Sequence, residues 1–389
     1  MARFTIPRDV YYGKNAMEEL KVLKGYQKAM IVTGSNFMIE NASLEKLTGI
    51  LKAQGIAVKV FDKVESNPLI STVYRGAEAM RAYEPDVIVA LGGGSPVDAA
   101  KAMWVFYENP ELTFEDIKTP YSLPKLREKA IFVAIGTTSG TATEVTSFSV
   151  ITDDATKIKY PIADFEITPD IAIVDTELAL SMPPVLIADS GMDAITHAVE
   201  AYVATAHTDL TDCLAVKGLQ MVFENLIDSY KGNELARRNV HIGQDLAGMS
   251  FSNALLGIVH SLAHKVGVIY NITHGRCNAI MLPYVIEYNT IAAEERFADL
   301  AQALGLKGAT RKQQVNALVA AIRELNNLLG IPASYQEAGV DEKLFLETVD
   351  LLSKEAALDP CTLFNPRETD ATNMKKVLTA CYYGTTINS

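Results

Sequence analysis

Four of the six histidines in this 389-residue sequence fall in two short segments. In Gly191-Met192-Asp193-Ala194-Ile195-Thr196-His197 the carboxylate of Asp193 and the imidazole of His197 are four residues apart, which on a helix puts them on one face. The second segment runs from His260 to His274 and opens with His260-Ser261-Leu262-Ala263-His264, which repeats that spacing. A helix ending near Gly267 would let the chain turn back and bring His274 to the same point. Taken singly, an Asp/His pair so spaced is more often a helical ion pair or a satisfied core histidine. Three imidazoles and one carboxylate brought together suit Fe²⁺ or Zn²⁺ better than Mg²⁺ or Ca²⁺, which prefer oxygen shells. Such an ion acts as a Lewis acid toward an alcohol or a carbonyl. His207 and His241 lie outside both segments and read as surface or ordinary helix residues.

A second kind of chemistry is suggested by Gly92-Gly93-Gly94-Ser95-Pro96-Val97-Asp98-Ala99-Ala100-Lys101, which follows a buried apolar run and opens a helix. Three glycines let backbone N–H groups approach an anion that the helix N-terminus then stabilises. This is not the G-x-G-x-x-G fingerprint, and a lone glycine triplet is more often a plain turn. A second turn, Gly136-Thr137-Thr138-Ser139-Gly140-Thr141, again follows an apolar run and adds hydroxyl donors. Two such loops on one strand edge point to a bound diphosphate.

The elements that must carry these groups are legible from periodicity. Residues 28–33, 57–61, 87–91, 131–135 and 171–175 read as strands, with helical spacing over 43–54 and 70–83 between them. That alternation is a parallel, Rossmann-like sheet covered by helices, in which ligands sit beyond the carboxyl ends of the strands. After residue 175 the strand pattern stops. Pro183-Pro184 marks a boundary, and 185–204, 212–229, 234–266, 291–304 and 311–329 read as helices. The expected plan is an α/β domain over 1–180 carrying the two glycine-bearing loops and an all-helical domain over 181–389 carrying the clustered histidines, with a cleft between them.

Composition narrows the partners. A net charge of −12 repels nucleic-acid phosphates and anionic lipid surfaces, and 49% hydrophobic residues indicate a real core. Cys213, Cys277, Cys361 and Cys381 have no C-x-x-C spacing, so reduced thiols are expected rather than a zinc knuckle or a disulfide framework. No signal-like apolar start and no bilayer-length apolar run are present, and a cytoplasmic protein is expected.

The glycine loop, the Thr137–Thr141 turn, Gly191 through Tyr202, His260 through His274-Gly275 and the late Asn365-Pro366-Arg367 together resemble the iron-containing (group III) alcohol dehydrogenases. The similarity runs from Arg3 to Gly384 and is nearest to the bacterial short-chain alcohol and butanol dehydrogenases. It implies an NAD(P)-dependent oxidoreductase in which Asp193, His197, His260 and His274 hold the metal and His264 is an uncoordinated histidine beside the nicotinamide. It also implies a homodimer. Cofactor contacts are expected from Gly34, Ser35, Asn67, Gly93, Gly94, Ser95, Pro96, Asp98, Thr137, Thr138, Thr141, Thr146 and Lys159. Phe148, Val150, Phe251 and Leu256 are expected to line an apolar substrate pocket, the last two on the same helix as His260.

Two positions depart from the family pattern. Thr273 stands where Pro commonly precedes the last ligand, and Gly34 stands where many members carry an acidic residue after the first strand. That carboxylate would bond a ribose 2′-hydroxyl and repel a 2′-phosphate, so its absence favours NADP(H), with NAD(H) as the other cofactor. The rival readings are a polyol dehydrogenase acting on glycerol or propanediol, and a helical metallohydrolase in which the glycine loop is only a turn.

Overall fold

The computed structural model describes residues 3–34, 37–155 and 158–387. The chain divides into two compact units, Met1–Met182 and Pro183–Ser389.

The first unit is built on strands β1 (Asp9–Gly13), β2 (Lys28–Gly34), β3 (Ala57–Val64), β4 (Val87–Gly92), β5 (Ile131–Gly136) and β8 (Ile171–Asp175). All are parallel, in the order β1-β8-β5-β4-β2-β3. Helices α1 (Phe37–Ala53), α2 (Ile70–Tyr83), α3 (Gly94–Glu108) and the short α4 (Phe114–Ile117) connect them, and β6 (Phe148–Thr152) and β7 (Lys159–Ala163) form a separate antiparallel pair. The central strands β2, β4, β5 and β8 are buried on both faces because helices cover both. Met30, Val32, Ile88, Ala90, Phe132 and Ala134 pack into one core with Trp104 of α3, while Ala29, Ile31, Val87, Val89, Val133 and Ile135 pack into the other with Leu47 and Leu51 of α1. Chain order reverses between β2 and β4, so this is the switch point at which such sheets open a crevice. Register sets Thr33 beside Leu91 and Gly92 beside Gly136, which brings Gly34 and both glycine-bearing loops to one strand edge.

The second unit comprises α5 (Pro184–Val203), α6 (Asp209–Tyr230), α7 (Glu234–Ala254), α8 (Ile258–Ile269), α9 (His274–Ala303), α10 (Arg311–Leu328), α11 (Glu342–Ala357) and α12 (Ala371–Tyr383). Starts are set by local chemistry: Pro184 at the first turn of α5, and side-chain caps from Thr208, Asn233, Thr310, Asp341 and Asp370. α5 is central, packed by α6, α7 and α9, and is buried from Ile187 to Val203. α9 tolerates Pro283 because Asn326 of α10 donates to the Ala279 carbonyl, at 2.7 Å, that a residue with an N–H at 283 would have used.

Three expectations need correction. The helix read over 234–266 is two helices: Leu255 takes a left-handed φ of 67°, and α8 leaves α7 at 106°. The physical reason is that the N–H groups freed at the break have buried acceptors. Val259 N donates to Glu200 Oε1 at 2.7 Å, and Ile258 N lies 3.4 Å from Asn365 Oδ1. Phe251 therefore sits on α7 and Leu256 in the break, not on the helix of His260. α8 ends at Ile269, near Gly267 as expected, but the helix read over 291–304 begins seventeen residues earlier, with His274 as its first residue. His241 is an ordinary helix residue, as expected, and is wholly buried within α7. No single helix among the described residues is long and apolar enough to cross a membrane.

Candidate metal centre and cofactor loops

In the second unit one carboxylate oxygen is the hub. Asp193 Oδ1 of α5 lies 3.6 Å from His274 Nε2, 3.7 Å from His260 Nε2 and 3.9 Å from His197 Nε2. The helical repeat supplies Asp193 and His197, the bend before α8 supplies His260, and α9 contributes His274 from its first position. Asp193, His197 and His260 are almost wholly buried, and His274 is half-buried. Phe251 stacks on His197 with ring centroids 4.3 Å apart, making that wall apolar.

Each ligand candidate is held from behind. Glu200, two turns along α5 from Asp193, approaches His260 Nδ1 to 2.6 Å while its other oxygen caps α8. Asp189, one turn before Asp193, accepts from Thr273 Oγ1 at 2.5 Å and Arg276 Nε at 2.9 Å, clamping the start of α9. Thr273, at the position where Pro is common, thus contributes a hydroxyl that Pro lacks. His264 points elsewhere: its Nδ1 is 3.1 Å from Asp359 Oδ2.

The donor set fits a divalent cation. Asn278 Nδ2 stands 2.6 Å from Asp193 Oδ1 and 3.2 Å from both His260 Nε2 and His274 Nε2, while its own buried Oδ1 has no hydrogen bond. An electropositive group thus already occupies the neighbourhood of three lone pairs. The protonation balance agrees. Burial works to raise Asp193, yet the charges of His197 and His274 and the contacts with His260 hold it well below the usual carboxylate range. Burial works to lower His260, yet Asp193 and Glu200 push it up to about 9. The pocket selects positive charge, and nitrogen donors around one carboxylate suit Fe²⁺ or Zn²⁺.

In the first unit the two loops interlock. Gly92 has φ +149°, and a Cβ there would meet Pro96 Cγ at 2.7 Å. Gly93 lies under Thr138 and Gly94 under Thr141, where a Cβ would come within 3.1 and 3.2 Å of those side chains. Side chains at 93 or 94 would push the threonine loop off the N-terminus of α3. Asn67, with φ 57°, turns its N–H to Ser95 Oγ at 3.3 Å. Thr137 is buried, its N–H bonded to the Gly92 carbonyl.

Asp98 and Thr146 lie lower and act as struts. Asp98 accepts from Thr143 Oγ1, and Thr146 Oγ1 lies 3.2 Å from the wholly buried Lys101 Nζ. Lys101 also donates to the carbonyls of Thr143, Thr146 and Phe148 at 2.7–2.8 Å. Phe148 and Val150 are half-buried and alternate on β6, and Lys159 begins β7. Gly34 ends β2 opposite Val64, and Ser35 lies outside the described residues. Glu200, Asn278, Asp359 and Lys101 were not assigned roles from the sequence. Only Glu200 left a signal there, its place seven residues after Asp193 on the same helical face.

Comparison with known proteins gives concordant results. The family "Iron-containing alcohol dehydrogenase" matches residues 7–176, and "Fe-containing alcohol dehydrogenase family, C-terminal" matches residues 187–382. The chain is 54% identical to the NADPH-dependent butanol dehydrogenase of Clostridium saccharobutylicum over the full length of both. It is 42% identical to the bifunctional aldehyde-alcohol dehydrogenase of Escherichia coli (strain K12), spanning 97% of this chain and 46% of that longer protein. A crystal structure of a 1,3-propanediol oxidoreductase superposes with a TM-score of 0.92 at 33% identity, covering 98% of this chain and 100% of the other.

Proposed function

The chain belongs to the iron-containing alcohol dehydrogenase family and is an NAD(P)-dependent alcohol dehydrogenase of the short-chain class, and from that premise we propose that it interconverts butanal-sized aldehydes and primary alcohols using NADP(H). One observation carries this reading: three imidazole nitrogens converge on a single buried carboxylate oxygen. Asp193, His197, His260 and His274 would hold Fe²⁺. When bound, that ion supplies Lewis-acid polarisation of the reacting C–O group. NADP(H) carries the hydride.

The chain's own residues do the rest. Glu200 and Asn278 orient the ligands, and His264 handles the hydroxyl proton of the substrate. Gly93 and Gly94 leave room for the dinucleotide diphosphate, with Ser95, Thr138 and Thr141 at hand as donors. Gly34 places no carboxylate at the end of β2, so this position does not repel a 2′-phosphate, and the NADPH-dependent relative supports the same choice. Phe251 beside His197 favours an alkyl chain over a polyol, whose hydroxyls would lose about 1–3 kcal/mol each if left unpaired. A homodimer rests on the family resemblance.

Steady-state reduction of butanal with NADPH and NADH, in wild type and Gly34→Asp, beside oxidation of butanol, glycerol and 1,3-propanediol, tests the reading. The expectation is a higher kcat/KM with NADPH, a shift toward NADH in Gly34→Asp, and butanol ahead of the polyols. A strong wild-type preference for NADH, or polyols ahead of butanol, overturns it. Metal content of His260→Ala tests the ligand set, with loss expected.

A further inference from the structure

His264 lies one helical turn beyond His260, its ring stacked over His274 at 5.6 Å and edge-on to His260 at 6.1 Å. It is therefore at the metal centre yet turns one ring nitrogen away from it. That nitrogen, Nδ1, is 3.1 Å from Asp359 Oδ2. Asp359 follows α11 and caps the helical turn Pro360–Phe364, its Oδ1 accepting from Cys361 N at 3.1 Å. Lys265 Nζ lies 3.2 Å from the same Oδ2, and the Asp359 side chain is only 1% exposed. The turn is fastened to α8 by Thr362, whose Oγ1 donates to the Ala356 carbonyl and stands 2.8 Å from Ser261 Oγ.

We propose that Asp359 is a positioning residue that locks His264 in the Nδ1–H tautomer, leaving Nε2 as the one ring nitrogen free to take or give the substrate's hydroxyl proton. The argument is one of donors and acceptors. Lys265 Nζ at 3.2 Å and the Cys361 N–H at 3.1 Å both favour the ionised carboxylate of Asp359, so it is an acceptor only. An acceptor opposite Nδ1 requires the ring proton there, and neutral imidazole then has its lone pair on Nε2. In alcohol oxidation, as the carbinol carbon gives its hydride to NADP⁺, the hydroxyl proton passes to His264 Nε2 and on to water; aldehyde reduction reverses this. Lys265 keeps the carboxylate charged in both directions.

The inference rests on the proton-handling role given to His264 above, and the tests separate the two. In Zn²⁺-loaded, ¹⁵N-histidine-labelled enzyme, the His264 ring, identified by its loss in His264→Ala, should show the Nδ1–H pattern in wild type. Asp359→Asn keeps an oxygen for the Cys361 amide but can present N–H to Nδ1. It should shift His264 toward Nε2–H and lower kcat about 100-fold or more, with metal content and KM for NADPH unchanged. Asp359→Glu should recover part of kcat. An Nε2–H tautomer in wild type overturns the proposal without any variant. Full kcat in Asp359→Asn beside an inactive His264→Ala also overturns it, leaving the His264 role standing. Full kcat in His264→Ala overturns that role and this inference with it.

Discussion

Glu200 Oε2 and His260 Nδ1 are 2.6 Å apart, joining a carboxylate of α5 to an imidazole of α8 sixty residues later. The contact fixes which nitrogen of His260 faces Asp193. The other Glu200 oxygen caps α8 through Val259 N, so one side chain both bends the chain and aims His260 Nε2 at Asp193. Asp193, His197 and Glu200 share one face of α5, and α8 and α9 close over it.

Glu200→Gln should weaken metal binding about 10–100-fold, because an amide neither raises the basicity of His260 nor satisfies Val259 N as strongly. Competition with a chromophoric chelator measures this directly. Wild-type affinity in the variant would show that Glu200 is only a helix cap.

Lys101→Met removes the cation that gathers the Thr143, Thr146 and Phe148 carbonyls and lies beside Asp98. Asp98 and several buried carbonyls would lose their partner, a cost of about 3 kcal/mol. Urea unfolding should register that loss. KM for NADPH should also rise, since the threonine loop that Lys101 supports lies against Gly93 and Gly94. Unchanged stability would contradict this account.

Gly275→Ala adds a methyl group 2.1 Å from the Asp189 carbonyl oxygen and 3.3 Å from Asp193 Cβ. Because the nearest atom is backbone, α9 must move off α5 and take His274 with it. The expected outcome is a loss of about 1–3 kcal/mol in stability, together with weaker metal binding. Thermal melts with and without excess Zn²⁺ test this. A variant with wild-type melting in both conditions would refute the close packing.

His241 makes a stability prediction with a definite sign. Burial lowers it from the ordinary 6.5 to about 4, so between those values the unfolded chain binds a proton that the folded chain refuses. Its neutral form contributes no penalty above pH 6.5, and stability falls as pH drops toward 4, by about 3 kcal/mol in all. Replacement by Gln should flatten that part of the curve of unfolding free energy against pH, relative to wild type. Parallel curves for the two proteins would rule out His241 as the source.

What could be read from the sequence was whatever depends on neighbours in the chain. The central strands announce themselves because burial on both faces demands continuous apolar runs. The turns after Leu91 and Ile135 stand out because close backbone approach needs glycine, and Asp193 with His197 because four residues make about one helical turn. β1 is not legible because Asp9–Gly13 is only half-buried, with Tyr12 exposed, and is a strand only through β8, far along the chain. β6 and β7 were missed because five residues with a proline, Pro161, carry little period. The bend between α7 and α8 left no proline to mark it. It exists because Glu200 and Asn365, distant in sequence, accept the N–H groups it exposes. The same holds for Lys101, Asn278 and Asp359. A buried charge or amide is tolerable only where its partners arrive from elsewhere in the chain, and only the tertiary structure decides where they meet.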